Sequence, residues 1–218
     1  MARKAKVERK TKETAISLSI GLDGTGGSAI STGVPFFDHM LSLMAMHGLF
    51  DLTLQARGDL EVDFHHTVED VGIALGQGIK QALGDLAGIR RFGEALVPMD
   101  EALSRVVLDI SGRPYLGYRV KARGKVKDFS LELVESFFKA VTDHAGITLH
   151  IDLLYGTNRH HIVEAIFKGF GRALDAATSL DQRRSGVPST KGSIWQGRKD
   201  SKASGERTKV LPRERKIG

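Results

Sequence analysis

Residues 50–66 read FDLTLQARGDLEVDFHH, and residues 146–161 read GITLHIDLLYGTNRHH. Each stretch alternates apolar and polar residues, passes through a polar turn region and arrives at two adjacent histidines. Alternation at period two marks a half-buried strand. The agreement continues on both sides. Helix-like apolar segments precede the strands, DHMLSLMAMHG at 38–48 and LVESFFKAVTDHAG at 133–146. After the first His pair, Val68, Val71, Ile73, Leu75, Ile79 and Leu83 fall largely on one helical face. After the second, Ile162, Ile166, Phe170, Leu174 and Ala177 recur in the same way. A unit of helix, strand, turn and helix is thus written twice.

Strand-rich segments lead into each unit. TAISLSIGLDGTGGSAIS (14–31) carries DGTGG, read as a hairpin-type turn, and ALSRVVLDISGRPYLGYRV (102–120) alternates around SGRP. The predicted fold is α+β, an internal duplication of two similar halves, each a small mixed β-sheet with helices packed on one face. The predicted divisions are a basic N-terminal arm at 1–12, a first half at 13–92 and a second at 93–180. A loop containing PSTKG follows at 181–193, and a basic tail at 194–218 is expected to be disordered, with Trp195 as its one candidate docking anchor.

Composition narrows the function. The 218 residues suffice for a real core. There is no cysteine, which excludes disulfides, thiolate metal sites and cysteine nucleophiles. No apolar run is long enough to predict a membrane span, and the basic start lacks the apolar stretch of a secretory signal. A cytoplasmic protein is expected. The net charge is +6, but residues 1–12 hold six basic residues and one acid, and residues 193–218 hold eight basic residues and three acids. The middle is therefore mildly acidic, and no nucleic-acid partner is expected; the basic ends read as solvated, flexible termini.

The chemistry sits in DFHHTVEDVG (63–72) and RHHIVEA (159–165), which share the spelling HHxxE. On a helix, residues four apart share a face and adjacent ones diverge by about 100°. His65 and Glu69 can grip one cation while His66 points elsewhere; His160 and Glu164 can grip another while His161 points elsewhere. If the halves flank a pseudo-twofold axis, each second histidine reaches the other motif's ion. Two sites follow, His65 with Glu69 and His161, and His160 with Glu164 and His66. His39, on the preceding helical segment, can add to one site. Its counterpart in the second half is about Ser136, with His144 two turns further on. Imidazole with carboxylate and no sulfur favours octahedral Mn²⁺, with Zn²⁺ and Fe²⁺ open. Arg91, Arg113 and Lys168, with Ser189 and Lys191 in PSTKG, are candidates for gripping an anion such as phosphate.

GVPFFDHML, DFHHTVEDVGIALG, SGRP, TLHI, HHIVEAIFKGFGRAL and PSTKG occur in this order, and together they resemble the imidazoleglycerol-phosphate dehydratase family of histidine biosynthesis. The resemblance implies a lyase that dehydrates imidazole glycerol phosphate to imidazole acetol phosphate. It also implies two Mn²⁺ ions per site and a 24-subunit shell with sites at subunit interfaces. By the same resemblance His39, His66, His160 and Glu164 hold one ion. His65, Glu69 and His161 share the other with a helix residue that is often histidine and is Ser136 here. Substrate contacts are implied for Glu13, the stretch from His39 to His47, Arg91, Arg113, Lys168, Ser189 and Lys191. Glu13 and His47 are the catalytic candidates, Glu13 as proton carrier. A dinuclear hydrolase of a phosphorylated small molecule would use the same ligands, and release of inorganic phosphate separates the two.

Overall fold

A computed structural model describes residues 3–195. The first half runs β1 (Lys4–Lys10), β2 (Thr14–Gly21), β3 (Ser28–Ser31), α1 (Pro35–His47), β4 (Asp51–Gly58) and α2 (His65–Leu83). The second half runs β5 (Phe92–Met99), β6 (Ala102–Asp109), β7 (Tyr115–Arg119), a short hairpin of β8 (Lys125–Val126) and β9 (Phe129–Ser130), then α3 (Glu132–Ala145), β10 (Thr148–Tyr155) and α4 (Arg159–Thr178). Apart from the β8–β9 insertion the order repeats, and so does the sheet: β1-β2-β4-β3 in one half and β5-β6-β10-β7 in the other. In each, an antiparallel hairpin joins a central strand, and the last strand lies parallel to that central strand. Parallel pairing requires a crossover, and α1 and α3 supply it.

One strand-level expectation changes. DGTGG does not close a hairpin, because β4 lies between β2 and β3. The loop instead laps over the first residue of β4, where Asp51 Oδ1 accepts from Thr25 N (3.0 Å) and Gly27 N (3.2 Å). SGRP is the turn between two strands that the alternation implied, although β10 lies between β6 and β7. Alternation reveals that a segment is a strand but not which strand it pairs with.

The predicted arm at 1–12 also changes. Its residues 4–10 form β1, registered from Lys4↔Gly21 to Lys10↔Ala15. Val7 is its buried residue, and Lys4, Lys6 and Lys10 are exposed. A lysine-rich edge strand deters pairing with foreign strands, and for the same reason it reads as a solvated terminus. At the other end, the expected disorder falls largely on 196–218, outside the described residues. Ile194 and Trp195 are part of the fold: Ile194 is buried, and Trp195 Nε1 donates to Gly84 O at 3.0 Å with Lys80 Nζ 5.1 Å from the ring centroid.

The halves meet helix to helix. α2 rests on β1 and β2, and α4 rests on β5 and β6. Each then crosses a helix from the opposite half, α2 against α3 and α4 against α1. Phe37 of α1, Phe137 of α3 and Phe167 of α4 form one aromatic nucleus, with ring centroids 5.2 Å apart for Phe37–Phe137 and 5.4 Å for Phe137–Phe167. The α2–α3 crossing is close because Gly72 and Gly76 face it. A Cβ at Gly72 would lie 2.7 Å from Phe137 O, and one at Gly76 would lie 2.7 Å from Val141 O. Helix backbone cannot give way as a side-chain tip can. Gly72→Ala is therefore expected to lower stability by about 1–3 kcal/mol despite its better helix propensity, read from the chemical-denaturation midpoint. Among the described residues no helix is long and apolar enough to cross a membrane.

Candidate metal centre and anion pocket

Both HHxxE motifs begin in the first turn of a helix, and in both a side chain just upstream holds the first histidine's backbone amide. Asp63 Oδ1 accepts from His65 N at 2.7 Å, and Asn158 Oδ1 accepts from His160 N at 2.9 Å. Asn158 is the N-terminal cap of α4, whereas Asp63 stands one position before the α2 cap, Phe64; each stands two positions before its first histidine and satisfies an amide the helix leaves unpaired.

At the α1–α4 crossing, His39, His160 and Glu164 place one donor atom each within 4.8 Å of one another. Glu164 Oε2 lies 3.1 Å from His160 Nε2 and 4.0 Å from His39 Nε2. Its other oxygen, Oε1, takes Lys168 Nζ at 2.6 Å. Burial works against ionisation of Glu164, but the Lys168 hydrogen bond and charge overcome it and hold the carboxyl below its ordinary range. Phe36 closes one side, its ring edge-on to His160 at 5.3 Å. Two imidazoles and an ionised carboxylate, half open to solvent, suit a divalent cation of intermediate hardness, so the residues present fit a metal ion.

The α2–α3 crossing is the counterpart. His65 Nε2 lies 3.9 Å from Glu69 Oε2, and His65 and Ser136 line the same pocket with Asp63, Asp128 and Glu132. His39 and Ser136 each occupy the fifth position of their helix, so the two positions correspond. Ser136 Oγ is turned back to Glu132 O at 3.4 Å. His144 is engaged with Ala140 O at 2.9 Å, further along α3.

The second histidines do not do within one chain what the spacing suggested. His66 Nδ1 lies 3.0 Å from Asp59 Oδ2 and 4.0 Å from Glu13 Oε2. His161 Nδ1 lies 2.7 Å from Glu101 Oε2. Among the described residues, neither joins a group of three metal donors. The exchange fails inside the chain because α2 and α4 do not cross each other; each crosses the opposite half's other helix. The Asp59 hydrogen bond raises the His66 pKa, and the Glu101 hydrogen bond raises that of His161. Asp59 and Glu101 escape sequence reading because each looks like an ordinary turn acid.

Of the remaining candidates, Glu13 is exposed at the β1–β2 turn. His47 ends α1; partial desolvation, then the charges of Lys168 and Arg172, push its pKa down and favour neutral imidazole. Lys168, expected among the anion contacts, is bound to Glu164 in the chain. Arg91, Arg113, Ser189 and Lys191 do converge, lining one pocket with Arg184 and Thr190. Arg91 grips Asp109 with both ends of its fork (2.6 and 3.0 Å) and donates to Pro188 O at 2.9 Å, which ties the loop down. The loop closes on itself where Ser189 Oγ accepts from Lys191 N (3.2 Å) and donates to Ser193 O (3.0 Å). Among the described residues Arg113, Arg184 and Lys191 have no carboxylate partner, so the pocket carries uncompensated positive charge. Arg184 gave no sequence signal; it lies in a polar run with nothing to distinguish it.

The two centres lie at opposite ends of α4. His160 is the second residue of the helix, whereas Arg91 N bonds Ala177 O at its far end. At 1.5 Å per residue the separation is on the order of 25 Å, too far for one small phosphorylated molecule to touch both within one chain.

Fold and donor set together define a class: a duplicated α+β enzyme with a His/Glu group able to hold a metal ion. The sequence pattern of imidazoleglycerol-phosphate dehydratase matches residues 32–174. The chain belongs to the imidazoleglycerol-phosphate dehydratase family. It is 63% identical over 195 residues to the imidazoleglycerol-phosphate dehydratase of Acetivibrio thermocellus, covering 89% of this chain and all of that protein. It is 58% identical to that of Geobacter sulfurreducens over the same shares. The crystal structure of the Staphylococcus aureus enzyme superposes with a TM-score of 0.74 at 43% identity, over 82% of this chain and 99% of that one. The Pyrococcus furiosus enzyme, in complex with (S)-C348, gives 0.76 at 38% identity, over 86% and 100%.

Proposed function

We propose that this chain dehydrates D-erythro-imidazole glycerol phosphate to imidazole acetol phosphate in histidine biosynthesis in the cytoplasm, using two Mn²⁺ ions per site. The observation that carries the reading is the His39–His160–Glu164 group at one helix crossing, with His65 and Glu69 at the corresponding place in the other half. His39, His160 and Glu164, with His66, would hold one cation; His65, Glu69 and His161 would hold the other. When bound, the cations supply the Lewis acidity that lowers the pKa of the ring nitrogens and supports an imidazolate. The separation along α4 supports an active site completed between copies, in line with a 24-subunit shell.

The chain's own groups account for the rest. Arg113, Arg184, Lys191 and Ser189 grip the phosphate, and Arg91 holds their loop through Pro188. The hydroxyl on the ring-bearing carbon leaves as water, taking up the proton that the ring N–H gives up. The next carbon then yields its proton to Glu13, and the C–H pair becomes the double bond of an enol while the ring regains its negative charge and is reprotonated from Glu13. The enol then becomes the ketone. His47, held neutral, is suited to pass a proton in that last step.

Metal analysis of purified protein, coupled to a dehydration assay on imidazole glycerol phosphate, tests the proposal. Two manganese per chain and a ketone product with phosphate retained are expected; inorganic phosphate among the products would support the hydrolase instead. Native mass checks the assembly.

A further inference from the structure

The duplication places a glutamate at the same point of each half. Glu13 immediately precedes β2 in the β1–β2 turn, and Glu101 immediately precedes β6 in the β5–β6 turn. Each faces the second histidine of its own half, but they are bound differently. Glu13 Oε2 stops 4.0 Å from His66 Nδ1, because Asp59 already takes that nitrogen at 3.0 Å. No such aspartate intervenes in the second half, and Glu101 Oε2 reaches His161 Nδ1 at 2.7 Å. The other oxygen of Glu101 accepts from Thr157 N (3.1 Å) and Asn158 N (2.7 Å), just before α4. Both oxygens are therefore committed.

We propose that Glu101 is a positioning residue that accepts the Nδ1 proton of His161, fixes that tautomer and leaves Nε2 with its lone pair free to bind a metal ion. A ring nitrogen can ligate only when it carries no proton, and the hydrogen bond made by the other nitrogen decides which one that is. Asp59 does the same for His66, so the arrangement occurs in both halves. Only Nε2 of His161 is left to face outward, where the exposed Asp100 lies 3.8 Å away. The duplicated glutamates have parted in role. Glu101 is a clamp; Glu13, displaced from its histidine by Asp59, keeps a carboxylate free for substrate. This inference rests on the proposed metal reading of His161.

The test uses the assembled enzyme with Mn²⁺ as the probe, measuring bound metal and its dissociation constant for wild type, E101Q, E101A and H161A. Glutamine can keep the caps on Thr157 and Asn158 only by turning its carbonyl toward them. Its NH₂ then points at His161 Nδ1, which must become an acceptor, and the proton moves to Nε2. E101Q is thus expected to lose metal affinity by about 10–100-fold, at least as severely as E101A, while its melting temperature stays closer to wild type than that of E101A. A capping role alone predicts the reverse, with E101Q binding metal like wild type and E101A impaired. That result, alongside metal loss in H161A, overturns the positioning role and leaves the metal reading intact. If H161A itself binds Mn²⁺ like wild type, His161 is not a ligand, and the metal reading fails together with the inference.

Discussion

On the proposed two-manganese reading, alanine at His160 is expected to remove one of the two ions and to reduce dehydration by about a thousandfold or more. His160 is the member of the α1–α4 group nearest the Glu164 carboxylate, at 3.1 Å. Without it His39 and Glu164 remain, and Lys168 at 2.6 Å then competes unopposed for the carboxylate. Lewis-acid stabilisation of developing charge is worth several kcal/mol, and about 4 kcal/mol corresponds to a thousandfold in rate. The measurement is metal per chain by elemental analysis beside turnover under saturating substrate. Retention of both ions with full turnover would remove His160 from the centre. The fold should survive, because His160 lies at a helix start capped by Asn158 through backbone amides that the substitution leaves in place.

Glutamine at Glu13 is expected to separate chemistry from metal. Turnover should fall by about 10²–10⁴-fold, the usual contribution of a positioned acid or base, with both ions retained. Among the described residues Glu13 joins no group of three metal donors, and the nearest imidazole nitrogen is already taken by Asp59. Glu13→Gln preserves shape and removes only the capacity to carry a proton. Loss of turnover in step with loss of metal would mean that Glu13 acts by holding His66, and its assignment as proton carrier would then be wrong.

Much of the fold was legible because the duplication repeats its signals. The strand, turn and His pair of 50–66 recur at 146–161, and both became β-strand and helix start where the periodicity placed them. The partners of the outer strands were not legible. β3 and β7 are short, and their neighbours are set by the crossover helices rather than by the loops that look like hairpin turns. β1 was hidden because its buried face amounts to little more than Val7 among exposed lysines. Within the candidate site, the i, i+4 pairs His65–Glu69 and His160–Glu164 follow from helix geometry alone. His39 could be placed beside the second pair only through the resemblance, since nothing in the spacing says that α1 crosses α4. Asp59, Glu101 and Arg184 lie in turns and loops, where side-chain direction is fixed by tertiary contacts that no local pattern encodes.

The helix crossings carry one more consequence. Phe137 packs between Phe37 and Phe167, so the aromatic nucleus draws on both halves of the chain at once. Neither copy of the repeat owns a finished interior. A polypeptide containing only one of them could shelter its helices only by embracing a twin, and the chain carrying both should melt in a single cooperative step, without a stage at which one half stands folded alone.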